Sequence, residues 1–380
     1  MPYPDGAAVP ADPGAYPAAP ALAPAPPEAI EAPAPPPLPD RIGIGKNGGF
    51  FQPGALLQIW GVATHSDAAP GTDTTFRLRR AELKVRGEIL PKLLSYTLVA
   101  DFAKVPAFTA NPSNVNVVAA DGTTVGTVAV PQPNLAADRS PLQDVWITVL
   151  TDYADISLGQ GKIPVSFEGL QSSSKLLFPE RSRVSREFGD RRDIGIKVEK
   201  KIGDVFYYYA GFFNGQGQNV VDADRRKDAG LRLEVYPIPG LTVGAVAYGT
   251  VGGRDLNVRD RLEADVRLEI EKLVVHGEYI HGWTGPEARR LEGHGLVGSA
   301  GYTFIDRLQP ALRLGLLDIN LGDDIAPRTE PESGPLRFFE FGLNYLLHGP
   351  DVKFTLAVAQ YSQENGADLT EGTMQWQANF

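Results

Sequence analysis

Five histidines, 46 acidic and 36 basic residues and no cysteine are the raw material for chemistry in this chain. Without thiols there is no disulfide framework, no thiolate nucleophile and no cysteine-based zinc or iron-sulfur site. His276 and Glu278 lie two apart and share one face of an alternating strand, a spacing that could pair a base with a carboxylate. His281 falls on the opposite face, so this strand alone builds no His-Glu-His cluster, and the pair reads as two solvated residues. Gly43-Ile44-Gly45-Lys46-Asn47-Gly48 has the spacing of a dinucleotide loop. A Pro-rich stretch precedes it where such a site needs a strand, and no helix pattern follows. Nothing resembles a serine-nucleophile elbow. The expectation is a protein that is not an enzyme and holds no cofactor and no metal. The chemistry left is electrostatic: rows of charged side chains that could guide ions.

The elements that position those rows are strands. Arg80, Glu82, Lys84, Arg86 and Glu88 alternate with Ala81, Leu83, Val85, Gly87 and Ile89. Between 260 and 271, Leu262, Ala264, Val266, Leu268 and Ile270 alternate with charged residues. Period two with one oily and one ionic face predicts strands between two different environments. The pattern predicts sixteen of them, near 55–63, 75–90, 92–103, 142–150, 153–165, 191–200, 204–214, 228–237, 240–250, 259–271, 272–282, 293–304, 308–319, 336–347, 351–362 and 371–380.

The totals, 43% hydrophobic and 22% charged, suit an ordinary folded chain. No run of 18 apolar residues occurs, so a transmembrane helix is excluded and any membrane crossing must use strands. The formal charge of −10 argues against nucleic acid as a partner. Residues 1–20 show neither a basic start nor an apolar core, so no signal peptide is visible. Residues 1–40 are rich in Pro and Ala and predict a disordered tail on the periplasmic side. Residues 41–54 read as a lead-in and 55–380 as one domain.

Short turns such as Leu90-Pro91-Lys92, Ile202-Gly203-Asp204 and His348-Gly349-Pro350 alternate with longer connections along the whole chain. All tight turns at one end, an even strand number and strands of this length predict an all-β fold: a sixteen-stranded antiparallel transmembrane β-barrel with short periplasmic turns and long outer loops. The 104–141 stretch then becomes an outer loop. Only a wet interior can hold the row from Arg80 to Glu88, because a dry one would bury those charges at large cost. Trp60, Phe102, Tyr248, Tyr279, Tyr302, Tyr345 and Trp376 fall near strand ends and are candidates for interfacial aromatic girdles.

The last strand puts Met374, Trp376, Ala378 and Phe380 on one face and ends in an aromatic residue. This resembles the C-terminal signal of bacterial outer-membrane proteins, which implies Trp376 and Phe380 as an assembly signal read by the barrel-assembly machinery. A second resemblance is carried by the run from Gly159 to Ser173 (GQGKIPVSFEGLQSS), by Pro179-Glu180-Arg181-Ser182, by Arg191-Arg192-Asp193-Ile194-Gly195-Ile196 and by Tyr209-Ala210-Gly211-Phe212-Phe213-Asn214-Gly215. Together these are similar to the phosphate-selective porin O and P family. The resemblance implies a bacterial outer-membrane channel of sixteen strands, assembled as a homotrimer and surrounded by outer-membrane lipid. It also implies that 165–190 is the third outer loop, folded into the lumen.

The functional expectation is passive diffusion of small hydrophilic solutes, with an anion or phosphate preference as a finer possibility. Arg80, Lys84 and Arg86 are expected on the lumen wall and Lys175, Arg181, Arg183 and Arg186 at or near the constriction, with Arg191 and Arg192 continuing an electrostatic path at the next strand, since rings of Arg and Lys favour anions. Glu168, Glu180, Glu187, Asp190 and Asp193 nearly cancel the loop's charge, so ion pairs that merely hold the loop are an equal reading. Arg77 and Arg79 have the parity of the lipid face and are expected at the outer rim, and no extended arginine series is apparent. The alternative to a channel is a barrel that tethers the outer membrane to the cell wall or a partner through the tail, with an outer-membrane enzyme a more remote third.

Overall fold

A computed structural model describes residues 41–68, 71–104, 110–118, 124–133, 141–254, 258–285, 291–319, 334–364 and 366–380. The expected Pro/Ala-rich tail lies outside the described residues, and so does any test of a tethering role for it. Alternation of apolar and polar residues produces nineteen strands in chain order among the described residues. They are β1 (Ile42–Ile44), β2 (Gly49–Ser66), β3 (Thr72–Leu90), β4 (Leu94–Asp101), β5 (Ala110–Val118), β6 (Thr124–Pro133), β7 (Leu142–Val149), β8 (Asp155–Lys162), β9 (Arg192–Ile202) and β10 (Phe206–Phe213). The remainder are β11 (Lys227–Ile238), β12 (Leu241–Gly252), β13 (Val258–Ile270), β14 (Leu273–Gly285), β15 (Leu291–Tyr302), β16 (Leu308–Asp318), β17 (Leu336–His348), β18 (Val352–Gln363) and β19 (Leu369–Asn379).

Sixteen of these, β2–β4 and β7–β19, pair antiparallel with their sequence neighbours, and β19 returns to β2 to close the sheet. The seam is sealed at the chain end: the Ala55 amide donates to the Phe380 carbonyl at 2.6 Å and the Phe380 amide to Ala55 at 3.0 Å. Closure follows from the solvent, since hydrocarbon cannot satisfy an open strand edge. Each expected strand has its counterpart.

Two differences have local causes. The barrel sheet begins at Gly49, before the expected start at 55, because Pro53 interrupts the alternation but is tolerated near a strand end, where it stands opposite Val85. β1 then folds back on Gly49–Phe51. The expected irregular loop at 104–141 contains the β5–β6 hairpin, whose strands pair from Ala110↔Pro133 to Val118↔Thr124.

Side chains follow the predicted parity across most of the barrel. Leu158, Leu231, Leu262, Leu312, Phe341 and Val358 are exposed on the outside. The lumenal face buries Arg232, Glu263, Asp265, Arg313 and Glu340. Five of the seven girdle candidates, Phe102, Tyr279, Tyr302, Tyr345 and Trp376, are exposed. Trp60 and Tyr248 are not: both are buried, with the Trp60 indole donating to Gln375 at 2.7 Å and the Tyr248 hydroxyl to Asp228 at 2.9 Å. They share parity with Gln58 and Thr250, which are buried, so position near a strand end misled where parity did not.

The outward parity read for Arg77 and Arg79, expected at the outer rim, is corrected by a β-bulge. Gln58 pairs with Arg80 but the next residue, Ile59, pairs with Leu78, so Arg79 is the extra residue and the alternation shifts beyond it. Arg79 and Arg77 both lie over the Trp60 ring, at 5.3 and 4.8 Å from its centroid. They face the lumen with Arg80.

Candidate functional site

The connection between β8 and β9, residues 163–191, folds into the barrel. Ile163, Val165, Leu176, Phe178, Val184 and Phe188 are buried along it. It carries two short helices, α1 (Phe167–Leu170) and α2 (Arg183–Phe188), capped by Ser166 and Ser182 side chains that accept from the Gly169 and Ser185 amides.

The wall holds this loop at two sites. At its start, Ser166 adopts a positive φ of 63°, and its amide donates to Glu263 at 2.6 Å. The Phe167 amide donates to Glu263 at 3.1 Å and the Ser166 hydroxyl to Glu278 at 2.9 Å. Glu263 is itself bound by Arg232, whose guanidinium also reaches Glu234 and Asp265. At the far side, Arg313 bonds Glu340 at 3.0 Å, the Glu168 carboxylate and the Glu180 carbonyl, and covers the Phe178 ring at 4.2 Å. Gln58, Asn344, Lys353 and Gln377 add donors to the carbonyls of Ser173, Leu177, Leu176 and Ser174.

Glycines at inward parity shape the wall for the loop's apolar side chains. A Cβ on Gly295 would stand 2.6 Å from Val184, on Gly282 2.9 Å from Phe188, and on Gly342 3.2 Å from Phe178. The Gly295→Leu barrel should therefore expel Val184 and free α2, because a core without voids has no room for the added atoms. Faster trypsin cleavage after Arg183 and Arg186 in the folded barrel is the expected readout. A cleavage rate equal to wild type would mean that Gly295 does not seat the loop.

The loop separates two lumenal chambers. The outer one, about 310 Å³, is lined by Arg77, Arg79, Lys104, Arg181, Arg183 and Arg186 against Glu180, Glu340 and Glu371, with Trp60 and Tyr361 between them. The inner one, about 640 Å³, is lined by Lys84, Arg86, Lys162, Arg192, Lys197 and Arg267 against Glu82, Asp144, Glu199 and Glu234.

The predicted site residues divide among these places. Arg80 is buried and spans Gln58 at 2.6 Å and Glu180 at 2.9 Å. Lys84 contacts Glu82 at 3.1 Å in the inner chamber, where Arg86 stands exposed. Arg192 bonds Asp144 at 2.9 Å on the same wall. Arg181 is buried and braces the loop internally: its guanidinium donates to the carbonyls of Gln171 at 2.6 Å and Glu168 at 2.9 Å and lies 3.5 Å from Asp190. Arg183 lies over the Tyr361 ring at 4.5 Å, and Arg186 is exposed beside it in the outer chamber. Lys175 is exposed on a turn and lines neither chamber. Charge pairing of the loop-holding kind thus describes Arg80 and Arg181. Burial works to raise the Glu180 pKa, but the Arg80, Arg79 and Arg181 charges prevail and hold its carboxyl below the usual range.

Sequence parity alone could have found Lys197 and Arg267, which alternate with outward-facing residues. Arg77, Arg79 and Lys104 were hidden by the bulge and by the end of β4. Lys162 ends its strand and donates to the Gly169, Leu170 and Gln171 carbonyls at 2.7, 3.3 and 3.0 Å, a contact that exists only once the loop has folded. The basic series that was not apparent in the sequence is therefore assembled from several elements. His276 and Glu278 do share the lumenal face, and Glu278 is engaged by the loop.

A family model described as Phosphate-selective porin O and P matches residues 61–266. No curated protein matches the sequence. Among solved structures, an anion-selective porin from Comamonas acidovorans is similar with a TM-score of 0.61 and 11% identity, covering 87% of this chain and 100% of that one. The outer membrane channel DcaP of Acinetobacter baumannii is similar with a TM-score of 0.60 and 10% identity, covering 89% and 99%. The trimer form of OmpT, an outer membrane protein of Vibrio cholerae, gives 0.56 and 10%, covering 87% and 99%. At such identities the structures speak for the fold, and the family match over more than half of the chain supplies the lineage. A closed sixteen-stranded barrel with an ionic lumen and a loop folded inside it belongs to the phosphate-selective porin O and P family, and the chain is an outer-membrane porin for passive diffusion of small hydrophilic solutes.

Proposed function

We propose that this porin favours small anions, phosphate among them, and that its barrel works as a conduit without enzymatic chemistry. The observation that carries this reading is the outer chamber, where six cationic side chains face three carboxylates. Of its cations, Arg77, Lys104, Arg183 and Arg186 have no carboxylate within ion-pair distance among the described residues. A confined cationic chamber raises the local concentration of anions. The inner chamber continues the sign, since Lys84, Arg192, Lys197 and Arg267 are paired with acids while Arg86 and Lys162 have no carboxylate within ion-pair distance among the described residues.

Single-channel recording in a planar bilayer tests the reading. An anion-directed reversal potential under a salt gradient, with phosphate reducing chloride current, is the expected result. Cation selectivity would overturn it.

We also propose assembly as a homotrimer, a reading supported by the likeness to the OmpT trimer form. Trp376 and Phe380 are proposed as the assembly signal; both are exposed on the outward face of the closing strand. Replacing both with Ser should leave intact the inward hydrogen bonds that Gln375 accepts from Trp60 and Gln377 accepts from Gln58, while sharply lowering the yield of folded barrel in the membrane. Normal yield would remove them from assembly.

A further inference from the structure

Strands β14–β18 carry a groove on the outside of the barrel that solute passage does not use. Gly277 and Gly298 stand directly opposite each other in the sheet. A Cβ on Gly298 would meet nothing nearer than the His276 carbonyl at 4.0 Å, so the pair forms a bare floor. Leu296, Leu314, Leu316 and Phe339 rise around it and bound a volume of about 880 Å³. Leu296 and Leu314 are 53% and 54% exposed. Side chains of this kind fit a lipid surface, and the missing ones leave a slot deeper than its neighbours.

The outer end of the slot is polar. Arg337, exposed near the start of β17, stands opposite Leu316 on one side and Ser362 on the other. Gln360 accepts from Thr370, and Ser362 donates to Asp368 at 3.0 Å. Among the described residues no carboxylate lies within ion-pair distance of Arg337. An outward-facing guanidinium at the rim of an apolar slot is favourable where an anionic headgroup meets it.

We propose that this groove seats an acyl chain of lipopolysaccharide in the outer leaflet, with Arg337 binding its phosphate. The inference depends on outer-membrane placement and is independent of ion selectivity. Charge decides the occupant: Arg337 stands beside the uncharged Gln360 and Ser362 above a floor and walls that are apolar, an arrangement that suits an anionic headgroup over an acyl chain better than the leucines and phenylalanines of another barrel wall. A phosphate suits the planar donor fork of the arginine.

The test measures lipopolysaccharide retained per barrel after mild detergent extraction, by native mass spectrometry and lipid phosphate assay. Gly298→Trp fills the slot and Arg337→Glu repels the phosphate; neither touches the lumen. Each should lower retention by about tenfold, the scale of one charge-assisted contact or one lost apolar seat, with conductance unchanged. Arg337→Lys should keep most of it. Wild-type retention in both the Trp and Glu variants would overturn the proposal. So would dissociation of the oligomer by Gly298→Trp without loss of lipid, which would assign the face to a second copy.

Discussion

The double substitution Arg183→Glu, Arg186→Glu is expected to turn an anion-directed reversal potential toward cations. Both side chains line the outer chamber from the same short helix, α2, and neither has a carboxylate partner among the described residues. The exchange leaves four cations facing five carboxylates where six faced three. Charges this close to a confined path are weakly screened compared with those on open surface, because the chamber is comparable in size to the screening length of about 8 Å in physiological salt. A swing of roughly 1.4 kcal/mol in ion free energy changes the permeability ratio about tenfold, and four units of charge in a chamber lined by protein can supply it. Arg181 is unsuited to the same experiment, although it neighbours Arg183 in sequence. It is buried and bonded to two loop carbonyls, so its reversal would unfold the loop as well as change the charge. A preserved wild-type reversal potential in the double variant would remove α2 from the selectivity mechanism.

The contrast between Arg181 and Arg183 shows what periodicity can and cannot reach. Strand parity is a local property, set by alternation, and it placed Lys84, Arg86, Leu262 and Val266 on their faces. It failed where one residue was inserted: the bulge at Arg79 reversed the reading for Arg79 and Arg77, and nothing in Phe76-Arg77-Leu78-Arg79-Arg80 marks which residue is extra. Loop chemistry is less legible still. Basic residues spaced along 165–190 look alike in sequence, yet folding sends Arg181 inward to its own backbone and leaves Arg186 exposed. The glycines at 282, 295 and 342 carry no mark of their purpose in the strand patterns, because it depends on Phe188, Val184 and Phe178, more than ninety residues away in sequence. The Porin O and P resemblance between 155 and 216 compensated because it carries the loop's position as a unit.

The same two-sided anchoring makes Arg313 the residue whose loss should alter the channel most. Arg313 is 1% exposed and is the cation that joins Glu340 of the wall to Glu168 of the loop, while also holding the Glu180 carbonyl. In Arg313→Met the apolar stem is kept and the charge is lost, so two carboxylates face each other across the wall-loop contact with no compensating cation. Breaking a buried pair in this way costs about 3–5 kcal/mol. The barrel has another way out than unfolding: the distal half of the loop can lift away and let water reach Glu168 and Glu340. The start of the loop should stay in place, since Ser166 and Phe167 are held separately by Glu263 and Glu278. Larger and noisier unitary currents are therefore expected, together with trypsin cleavage after Arg183 and Arg186. Adding Glu168→Gln and Glu340→Gln removes the repulsion and should restore quiet, wild-type conductance if charge compensation is the cause. Unchanged current amplitude and noise in Arg313→Met would show that the Arg313 contacts do not keep the loop across the lumen, and the two chambers would then have to be divided by the glycine-seated packing of Phe178, Val184 and Phe188 alone.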